Sequence, residues 1–344
     1  MKSNAAVIPL DVIGCSDIFA RAHGPGLERL SGMWYLRSFT DPDPAKLQKF
    51  GRRYRIAELY PDHREMLSQH SDGAVLVSTP TAEHAVPVID ALCAGRDVLC
   101  EKPMALTLDE ADAMLKAAHD NFGILQLCFM SRFAPCWMKV KALLDSGAIG
   151  TPISATVTQY WDGGAELYSN WRTCEKISGG GIIADSAAHW IDILRWLLGE
   201  INAVTAVGIP APDSPFPELD DSSLALFRFN SGAIGLLRNS WRHLRPENEA
   251  ETIEIYGSAG SIIGKLHTPW TDGGVQIVRL VTPDETRVFE FHDPMQRFVN
   301  QLETFAGLIR SRDTQASSGK DGRRALELQI ALYETMRKQC WLNV

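Results

Sequence analysis

The stretch VIPLDVIGCSDIF, residues 7–19, decides how the first part of the chain is expected to fold. Its apolar first half is typical of a buried strand, and Gly14 allows a tight turn into a helix predicted over residues 17–30. Such a turn lets the backbone approach a pyrophosphate at a helix N-terminus. The match to the G-x-G-x-x-G pattern is partial, because Ser16 and Phe19 occupy the other two glycine positions. A strand–helix turn without a nucleotide is therefore an open alternative.

The chain continues this alternation of strands and helices up to about residue 130. Strands are predicted over residues 7–13, 33–39, 73–77, 97–100 and 125–129. Helices are predicted over residues 17–30, 45–53, 83–94 and 108–122. Strands that alternate with helices of this length form βαβ units, so the pattern predicts an α/β fold with a doubly wound parallel sheet of the Rossmann type. We assign residues 1–130 to this first domain.

The pattern changes after residue 130. Helices are predicted over residues 138–146 and 182–198, the second one ended by Gly199, and amphipathic helices include residues 298–309 and 325–336. Strands are predicted over residues 153–161, 203–208, 222–229, 233–242, 251–257, 275–282 and 286–291, with a hairpin turn at 230–232. Long strands in succession predict an α+β domain, residues 131–344, with a large, mostly antiparallel open sheet. We expect its C-terminal helix to stay with this domain or to pack back on the first one.

The composition excludes several classes of protein. The 344-residue chain has 34 Lys and Arg against 42 Asp and Glu, a formal net charge of −8, so we expect no nucleic-acid partner. It has no apolar run of about 18 residues and no signal-peptide pattern at its N-terminus, so we expect no membrane span. The seven cysteines form no C-x-x-C pair, which favours buried thiols in the cytoplasm and no metal site.

Polar motifs follow the ends of the predicted parallel strands, where sheets of this type bind their ligands. Asp41 ends the second strand and is either a ribose-binding carboxylate or a turn residue before Pro42. No arginine follows directly to hold a 2′-phosphate, so NAD is favoured over NADP. The motifs STPTAEH, residues 78–84, and EKP, residues 101–103, follow the next two buried strands. The candidate cofactor-binding residues are Gly14, Ser16, Asp17, Ile18, Asp41, Ser78, Thr79, Pro80, His84, Glu101 and Lys102.

A third motif, SGGGIIADSAAHWID, covers residues 178–192. Asp185 and His189 are four residues apart on the predicted helix, so they are expected to share one of its faces. His189 is therefore a candidate for chemistry, although a core histidine hydrogen-bonded by Asp185 or Asp192 is the alternative. Asp192 itself is more typical of a structural residue.

The three motifs, together with GSAGS at residues 257–261, resemble the glucose-fructose oxidoreductase / inositol dehydrogenase / rhizopine catabolism (Gfo/Idh/MocA) family. The resemblance runs from the first strand to the C-terminal helix. It implies a Rossmann domain, a second domain with a large open sheet, and NAD(P)-dependent oxidation of sugar or cyclitol hydroxyls. It also implies a homodimer or homotetramer formed through that sheet.

The chain departs from the family pattern at four positions. Asp11 stands in a strand that is normally apolar or carries glycine, and Ala187 stands where glycine is usual. Ser16 and Phe19 replace small residues of the glycine turn. Phe19 would either tighten the packing of the helix on the sheet or displace the pyrophosphate, so cofactor binding is the inference that these departures affect most.

The expected chemistry follows from the residue types. Oxidation of a secondary alcohol releases a hydroxyl proton as hydride leaves carbon, and an imidazole titrates near neutral pH, which makes His189 the candidate base. The Lys102 ammonium would polarise the substrate oxygen and lie between cofactor and substrate. Asp185 would orient the imidazole or hold the substrate hydroxyl.

These roles predict an NAD-dependent dehydrogenase acting on a sugar, sugar derivative, glycoside or cyclitol. Two alternatives stay open. One is a redox-assisted glycoside-cleaving enzyme that keeps its NAD bound, and the other is a non-catalytic regulator that senses a sugar or dinucleotide.

Aromatic, arginine and histidine side chains suit a polyhydroxylated ring, which offers C–H faces and hydroxyl edges. The candidate substrate-binding residues are Arg132, Tyr160, Trp161, Trp171, Arg172, Trp241, Arg242 and His243. Each of them has an alternative role in the core or at an interface between subunits.

Overall fold

The computed structural model describes residues 6–242, 251–266, 274–314, 316 and 318–344. The chain divides into two compact units. The first comprises Met1–Cys128 and Phe298–Arg324, and the second comprises Phe129–Arg297 and Ala325–Val344. The sequence placed the main boundary after residue 130, with a C-terminal helix that stays with the second domain or packs back on the first. The structure groups Phe298–Arg324 with the first unit. No helix among the described residues is both long and apolar enough to cross a membrane.

The first unit contains the predicted Rossmann sheet. Its strands are β1 (Ile8–Ile13), β2 (Trp34–Thr40), β3 (Glu58–Tyr60), β4 (Ala74–Val77), β5 (Asp97–Cys100) and β6 (Leu125–Leu127). All are parallel, in the order β3-β2-β1-β4-β5-β6. The sequence missed β3, which is three residues long and lies at the edge of the sheet, where little apolar surface is buried.

Along the chain, the helices of this unit alternate with the strands of its sheet. They are α1 (Gly24–Arg29), α2 (Pro44–Tyr54), α3 (His63–Gln69), α4 (Ala85–Cys93) and α5 (Leu108–Asp120), together with short turns at Phe19–His23 and Thr81–Glu83. Side-chain capping explains where two of these helices begin. The Asp43 carboxylate caps α2, and Thr107 forms a capping box with Glu110 at the start of α5. The single helix predicted over residues 17–30 begins with a π-helical turn before α1.

Asp11 is buried in β1, and a hydrogen-bond network explains this polar residue in a core strand. Its carboxylate accepts from the Arg37 guanidinium at 2.6 and 3.0 Å, from the Ser38 hydroxyl at 2.7 Å and from Arg96 Nη2 at 2.7 Å. Burial alone raises the pKa of Asp11, but the hydrogen bonds from Arg37, Arg96 and Ser38 outweigh burial and hold the pKa below its usual value. The departure from the family pattern is therefore compensated within this unit.

The second unit is built on a nine-stranded sheet. Its strands are β7 (Pro152–Tyr160), β8 (Ile201–Ile209), β9 (Ser222–Phe229), β10 (Ile234–Ser240), β11 (Glu251–Gly257), β12 (Ser261–Leu266), β13 (Gln276–Val281), β14 (Thr286–Phe291) and β15 (Leu342–Asn343). Their order is β14-β13-β12-β11-β7-β10-β9-β8-β15. Among the described strands, only β10 and β7 pair in parallel, which confirms a mostly antiparallel sheet.

The remaining helices are α6 (Pro135–Asp145), α7 (Glu175–Ser178), α8 (Ile182–Asp185), α9 (Ala187–Leu198), α10 (Gln296–Ser311) and α11 (Gly319–Lys338). Short 3₁₀ turns lie at Met130–Phe133, Ala165–Ser169 and Trp171–Thr173. Helices α8 and α9 contact β10 on the face of the sheet that carries the buried side chains of Phe227 and Leu237. The opposite face presents Leu224, Leu226 and Ile234 to solvent.

The helix predicted over residues 182–198 is broken at Ser186, which corrects the sequence analysis. The Nε2 group of Gln329 donates hydrogen bonds to the carbonyls of Ile183 and Ala184, at 2.7 and 2.9 Å. In a continuous helix these carbonyls would accept from amides four residues later. Asp185 therefore ends α8, whereas His189 lies in the first turn of α9.

Candidate active-site residues and family membership

The turn after β1 is held by backbone contacts that require glycine. Gly14 has φ +96°, and a Cβ atom there would lie 2.7 Å from the carbonyl oxygen of Ser78. The Ser78 hydroxyl donates to the Gly14 carbonyl at 2.8 Å. The next amide, that of Cys15, donates to Asp41 Oδ2 at 2.9 Å, so the first two strand ends are joined directly.

Phe19 packs into the core of the first unit. Its ring is fully buried and meets Phe39 and Tyr54 edge-on, at centroid distances of 5.2 and 5.3 Å. The Phe19 amide donates to the Ser16 hydroxyl at 3.2 Å. Of the two roles left open for Phe19, the geometry supports tighter packing. Nearby, Asp17 is exposed and Ile18 is half-buried, and their contact with a cofactor stays a prediction.

Asp41 follows β2 and is almost buried. Besides the Cys15 amide, its carboxylate accepts the Asp43 amide at Oδ1, at 2.9 Å. Carboxylate oxygens have two lone pairs each, so this arrangement leaves acceptor capacity for ribose hydroxyls. Both readings of Asp41 are therefore compatible, since it organises the turn and keeps the capacity to bind a ribose.

The His84 ring connects the loop after β4 with the loop after β5. Its Nε2 lies 2.9 Å from the carbonyl oxygen of Thr79, and its Nδ1 lies 2.8 Å from that of Pro103. Burial lowers the pKa of His84, although its hydrogen bonds to these carbonyls oppose the effect. Both ring nitrogens thus contact backbone carbonyls of the neighbouring loops, and the position of His84 next to a cofactor stays a prediction. Pro80, next to Thr79, is half-buried, and its contact with the cofactor also stays a prediction.

The backbone of Lys102 is held by a buried pair that the sequence analysis missed in part. Glu101 Oε2 accepts the Lys102 amide at 3.2 Å, and Glu101 Oε1 lies 2.7 Å from His23 Nε2. His23 ends the π-helical turn after β1, so it reaches Glu101 from a distant part of the chain. The sequence alone did not indicate this contact, because His23 and Glu101 come together only in the folded unit.

Cys128 lies beside this pair, with its Sγ atom 4.0 Å from His23 Nε2. One ligand atom from each of the three residues lies within 4.8 Å of the others, a grouping that the cysteine spacing did not reveal. The absence of a metal stays a prediction. Burial raises the pKa of the Cys128 thiol well above its usual value, which favours the protonated thiol over a metal-binding thiolate.

The first unit as a whole has the arrangement that a dinucleotide requires. Gly14, Asp41, Ser78 and Glu101 follow β1, β2, β4 and β5, so they lie along one edge of the parallel sheet. The strand order reverses between β1 and β4, which is the topological switch point where such sheets bind their ligands. These residues therefore fit NAD, with the glycine turn next to a helical segment and a carboxylate after β2.

The second unit contains Asp185 and His189 at the break between α8 and α9. Asp185 is largely buried, and its carboxylate accepts from the Ser186 hydroxyl at 3.3 Å and lies 3.6 Å from Arg172 Nε. The Arg172 guanidinium in turn lies over the Trp171 ring, 4.7 Å from its centroid. An acid, a half-buried arginine and an indole are thus grouped on short turns before α9.

His189 is buried, with 8% of its surface exposed, and its ring meets Phe129 edge-on at a centroid distance of 6.4 Å. Asp192, three residues later on α9, forms a bidentate pair with Arg132, with distances of 2.6 and 2.5 Å. A buried carboxylate needs such a partner, so Arg132 compensates the charge of Asp192, and its contact with substrate stays a prediction.

Trp241 lies in the core of the second unit, and its contact with substrate stays a prediction. Its side chain is fully buried and its indole N–H donates to Asp221 Oδ1. Its ring packs edge-on against Trp161, 6.4 Å between centroids, in an apolar cluster that includes Ile182 of α8. Trp161 keeps part of its surface exposed and stays a candidate for substrate contact. The buried Trp241 ring packs against it.

Tyr160 lies on the other face of the sheet. Its hydroxyl accepts from Arg238 Nε at 3.1 Å, and Arg238 is exposed on the same face as Leu224. Because side chains alternate along a strand, this face is opposite to the one that α8 and α9 cover. The structure therefore places Tyr160 on the face away from α8 and α9, and its contact with substrate stays a prediction.

Arg242 pairs with Asp213, 2.5 Å between Nη2 and Oδ2, and lies over the Tyr168 ring at 5.2 Å. It links the loop after β8 to the turn at residues 165–169. Arg242, which follows β10, stays a candidate for substrate contact, and His243 lies outside the described residues.

Comparison with known proteins agrees with this geometry. Residues 10–129 match an oxidoreductase family with an NAD-binding Rossmann fold, and residues 137–263 match the GFO/IDH/MocA C-terminal domain. The chain is 30% identical to scyllo-inositol 2-dehydrogenase (NAD(+)) of Bacillus subtilis, over 86% of this chain and 85% of that protein. It is 27% identical to levoglucosan dehydrogenase of Pseudarthrobacter phenanthrenivorans, over 88% of each.

A solved structure of levoglucosan dehydrogenase in complex with NADH has a TM-score of 0.86 to this chain and 25% sequence identity. The match covers 98% of this chain and 99% of that chain. Fold, motifs and relatives thus agree, and the predictions of the family, of the fold class and of NAD as cofactor are confirmed. The chain belongs to the GFO/IDH/MocA family and is an oxidoreductase with an NAD-binding Rossmann domain.

Proposed function

We propose that this protein is an NAD-dependent dehydrogenase that oxidises a secondary hydroxyl of a sugar, sugar derivative, glycoside or cyclitol. The observation that carries the proposal is the grouping of a carboxylate and an imidazole, Asp185 and His189, at one helix break. This grouping occurs in a chain whose family is NAD-binding and whose relatives include inositol and levoglucosan dehydrogenases.

The proposed roles follow from the positions of the side chains. When bound, NAD⁺ supplies the hydride acceptor. His189, in the first turn of α9, takes the hydroxyl proton on its unprotonated ring nitrogen. Asp185 holds the substrate hydroxyl or orients the imidazole, and Arg172 Nε lies 3.6 Å from its carboxylate. The Lys102 ammonium stabilises the negative charge that develops on the substrate oxygen.

Arg172, Trp171 and Trp161 support a polyhydroxylated ring as the substrate. Each of these side chains is half-buried, and Arg172 lies beside Asp185. An indole offers an apolar surface to the C–H face of a ring, while a guanidinium donates several hydrogen bonds to hydroxyl edges. Together they match the two kinds of surface that a sugar or cyclitol presents.

The second sheet supports the proposal of a homodimer or homotetramer. Val207, Ile209 and Ile234 are more than half exposed on the open face, at 63%, 65% and 56%. Exposed apolar side chains that share one face of a sheet are typical of an interface between subunits. We further propose a reducing compartment such as the cytoplasm, because three of the seven free cysteines are exposed.

The test is to incubate the protein and NAD⁺ with a panel of sugars, inositols and glycosides while monitoring absorbance of reduced nicotinamide. Stoichiometric NADH formation with one class is the expected result. Aglycone release without net NADH would replace the proposal with redox-assisted glycoside cleavage. Tight ligand binding with neither reaction would favour the non-catalytic regulator.

A further inference from the structure

Helix α8, which ends at Asp185, is too short to be stable on its own. It contains four residues, Ile182–Asp185, and Gly181 at its start has no side chain to cap it. Forming an isolated helical turn is unfavourable, because it fixes several backbone dihedral angles and gains few hydrogen bonds. Its first amides must also find acceptors outside the helix.

Two distant side chains supply those acceptors. The Asp220 carboxylate accepts the amides of Gly181 and Ile183, at 3.1 and 2.9 Å. The Tyr333 hydroxyl accepts the amides of Gly181 and Ala184, at 2.9 and 3.1 Å, and itself donates to Asp220 Oδ1 at 2.8 Å. The backbone carbonyl of Asp220 accepts the remaining amide, that of Ile182, at 2.7 Å.

The other end of α8 is held from the same helix that carries Tyr333. Gln329, four residues earlier on α11, donates to the carbonyls of Ile183 and Ala184. Residues four apart share one face of a helix, so one face of α11 holds both the amides and the carbonyls of α8. Gln329 and Asp220 are each only 3% exposed, so water does not readily replace them.

The glycines before α8 make this contact possible. A Cβ atom on Gly181 would lie 2.6 Å from Asp220 Oδ1, and one on Gly180 would collide with the Tyr333 ring, 2.5 Å from Cζ. Gly180 also has φ +148°, which disfavours other residues. The glycines of the motif thus serve the approach of Asp220 and Tyr333 within this unit.

We propose that Tyr333 and Gln329, together with Asp220, are positioning residues that hold α8 and thereby place Asp185 for the reaction. The inference rests on the proposed function, because it is the dehydrogenase reaction that Asp185 is placed to serve. Burial raises the pKa of the Tyr333 hydroxyl well above its usual value, so the hydroxyl remains a donor to Asp220 while it accepts two amides.

The experiment compares Tyr333→Phe and Gln329→Met with a matched control, Thr335→Val. Thr335 also lies on α11 and is buried, but its hydroxyl accepts the amide of Ala206 in β8, at 2.9 Å. All three variants therefore remove hydrogen bonds between α11 and a backbone segment. Only the first two release α8.

Two readouts are measured: hydrogen exchange of residues 181–185, and kcat together with the KM for NAD⁺. In Tyr333→Phe and Gln329→Met we expect exchange in this segment to accelerate at least about tenfold. We expect kcat to fall roughly 10- to 100-fold, as for a misplaced group, with the KM for NAD⁺ unchanged. Thr335→Val should leave both the segment and kcat near the wild-type values.

The possible outcomes separate this inference from the proposed function. Unchanged exchange of residues 181–185 in both variants, or an equal loss of kcat in Thr335→Val, overturns the inference. Faster exchange with wild-type kcat in an active enzyme also overturns it, because α8 would then not place a reacting group. If the wild-type protein oxidises no compound of the panel, the proposed function fails, and the exchange measurement alone still decides whether Tyr333 and Gln329 hold α8.

Discussion

The two units place their functional groups by different physical means. In the first unit, Gly14, Asp41 and Glu101 follow strands of a parallel sheet, so the sheet itself brings them to one edge. In the second unit, Asp185 ends a four-residue helix whose backbone is held by Asp220, Tyr333 and Gln329. The sheet itself aligns the strand ends of the first unit, whereas the short helix of the second unit depends on side-chain hydrogen bonds from residues far away in the chain.

This difference has a consequence for mutagenesis. Changes at the strand ends of the first unit should affect the cofactor, and changes around α8 should affect the reaction without affecting NAD⁺ binding. Each of the following predictions tests one side of that contrast.

The largest effect is expected for His189→Ala. Loss of the base should lower kcat by about 10²–10⁴, because the hydroxyl proton then has no positioned acceptor. The dissociation constant for NAD⁺, measured by calorimetry, should stay near the wild-type value, since His189 lies outside the Rossmann unit. The wild-type rate should rise with pH and then level, and this rise should vanish or move in the variant. A near-normal kcat with an unchanged pH profile would show that His189 is a structural histidine.

Lys102→Ala should lower kcat by roughly 10²–10³, the cost of removing one group that stabilises a developing oxyanion. In contrast to His189→Ala, this change should also weaken the productive binding of NAD⁺, because Lys102 directly follows Glu101 at the end of β5. Steady-state kinetics and calorimetry measure the two effects, with the exposed Lys116 replaced by alanine as the control. Loss of kcat with unaltered NAD⁺ affinity would contradict a role beside the cofactor.

Sequence reasoning was most accurate where order along the chain decides position in space. The strand ends at Gly14, Asp41 and Glu101 could be placed because parallel strands align their carboxyl ends. The surroundings of Tyr160, Arg132 and Trp241 could not be predicted, since they depend on which sheet face a side chain occupies and on partners such as Asp192. The break at Ser186 was missed because residues 182–198 form a strongly apolar stretch that is typical of one helix. Gln329, which donates to the carbonyls of Ile183 and Ala184 before the break, is more than 140 positions away.

Asp220 gives the second unit a pH dependence of stability that the first unit's Asp11 does not share. Burial raises the pKa of Asp220 from 3.8 to about 6, although the amides of Ile183 and Gly181 and the Tyr333 hydroxyl oppose the shift. The folded protein therefore binds more protons than the unfolded chain between about pH 4 and pH 6, and stability falls as pH rises through this window. The difference amounts to about 3 kcal/mol.

Asp220→Asn should remove this contribution to the slope, because an amide does not titrate between pH 4 and pH 7.5. Denaturant unfolding of both proteins between pH 4 and pH 7.5 measures it. The pKa of Asp11, held below its usual value, predicts the opposite sign, with stability lost as pH falls. Equal slopes in wild type and Asp220→Asn would show that the carboxyl titrates normally.

A smaller effect is expected for cofactor choice. The Asp41 carboxylate should repel the 2′-phosphate of NADP, so Asp41→Asn should shift the ratio of NAD⁺ to NADP⁺ affinity toward NADP⁺ by about tenfold, the change that about 1.4 kcal/mol produces. Asparagine keeps an acceptor for the Cys15 amide. Asp43→Asn, which removes a nearby charge at the cap of α2, is the matched control. Tighter binding of NADP⁺ than of NAD⁺ by the wild-type protein would contradict the assignment.

The smallest effect, none at all, is expected for removal of metal ions. His23, Glu101 and Cys128 are close enough to be considered as ligands, but their contacts favour a hydrogen-bonded brace. Glu101 bridges His23 Nε2 and the Lys102 amide, so a metal would have to displace the contact that holds the backbone of Lys102. The buried thiol of Cys128, with its raised pKa, would also have to lose its proton. Dialysis against EDTA should therefore leave kcat unchanged, and elemental analysis should find no stoichiometric metal. If EDTA abolished activity and a divalent metal restored it, His23→Gln would show whether this trio holds the ion, and the strand ends of the first unit would then do more than bind the cofactor.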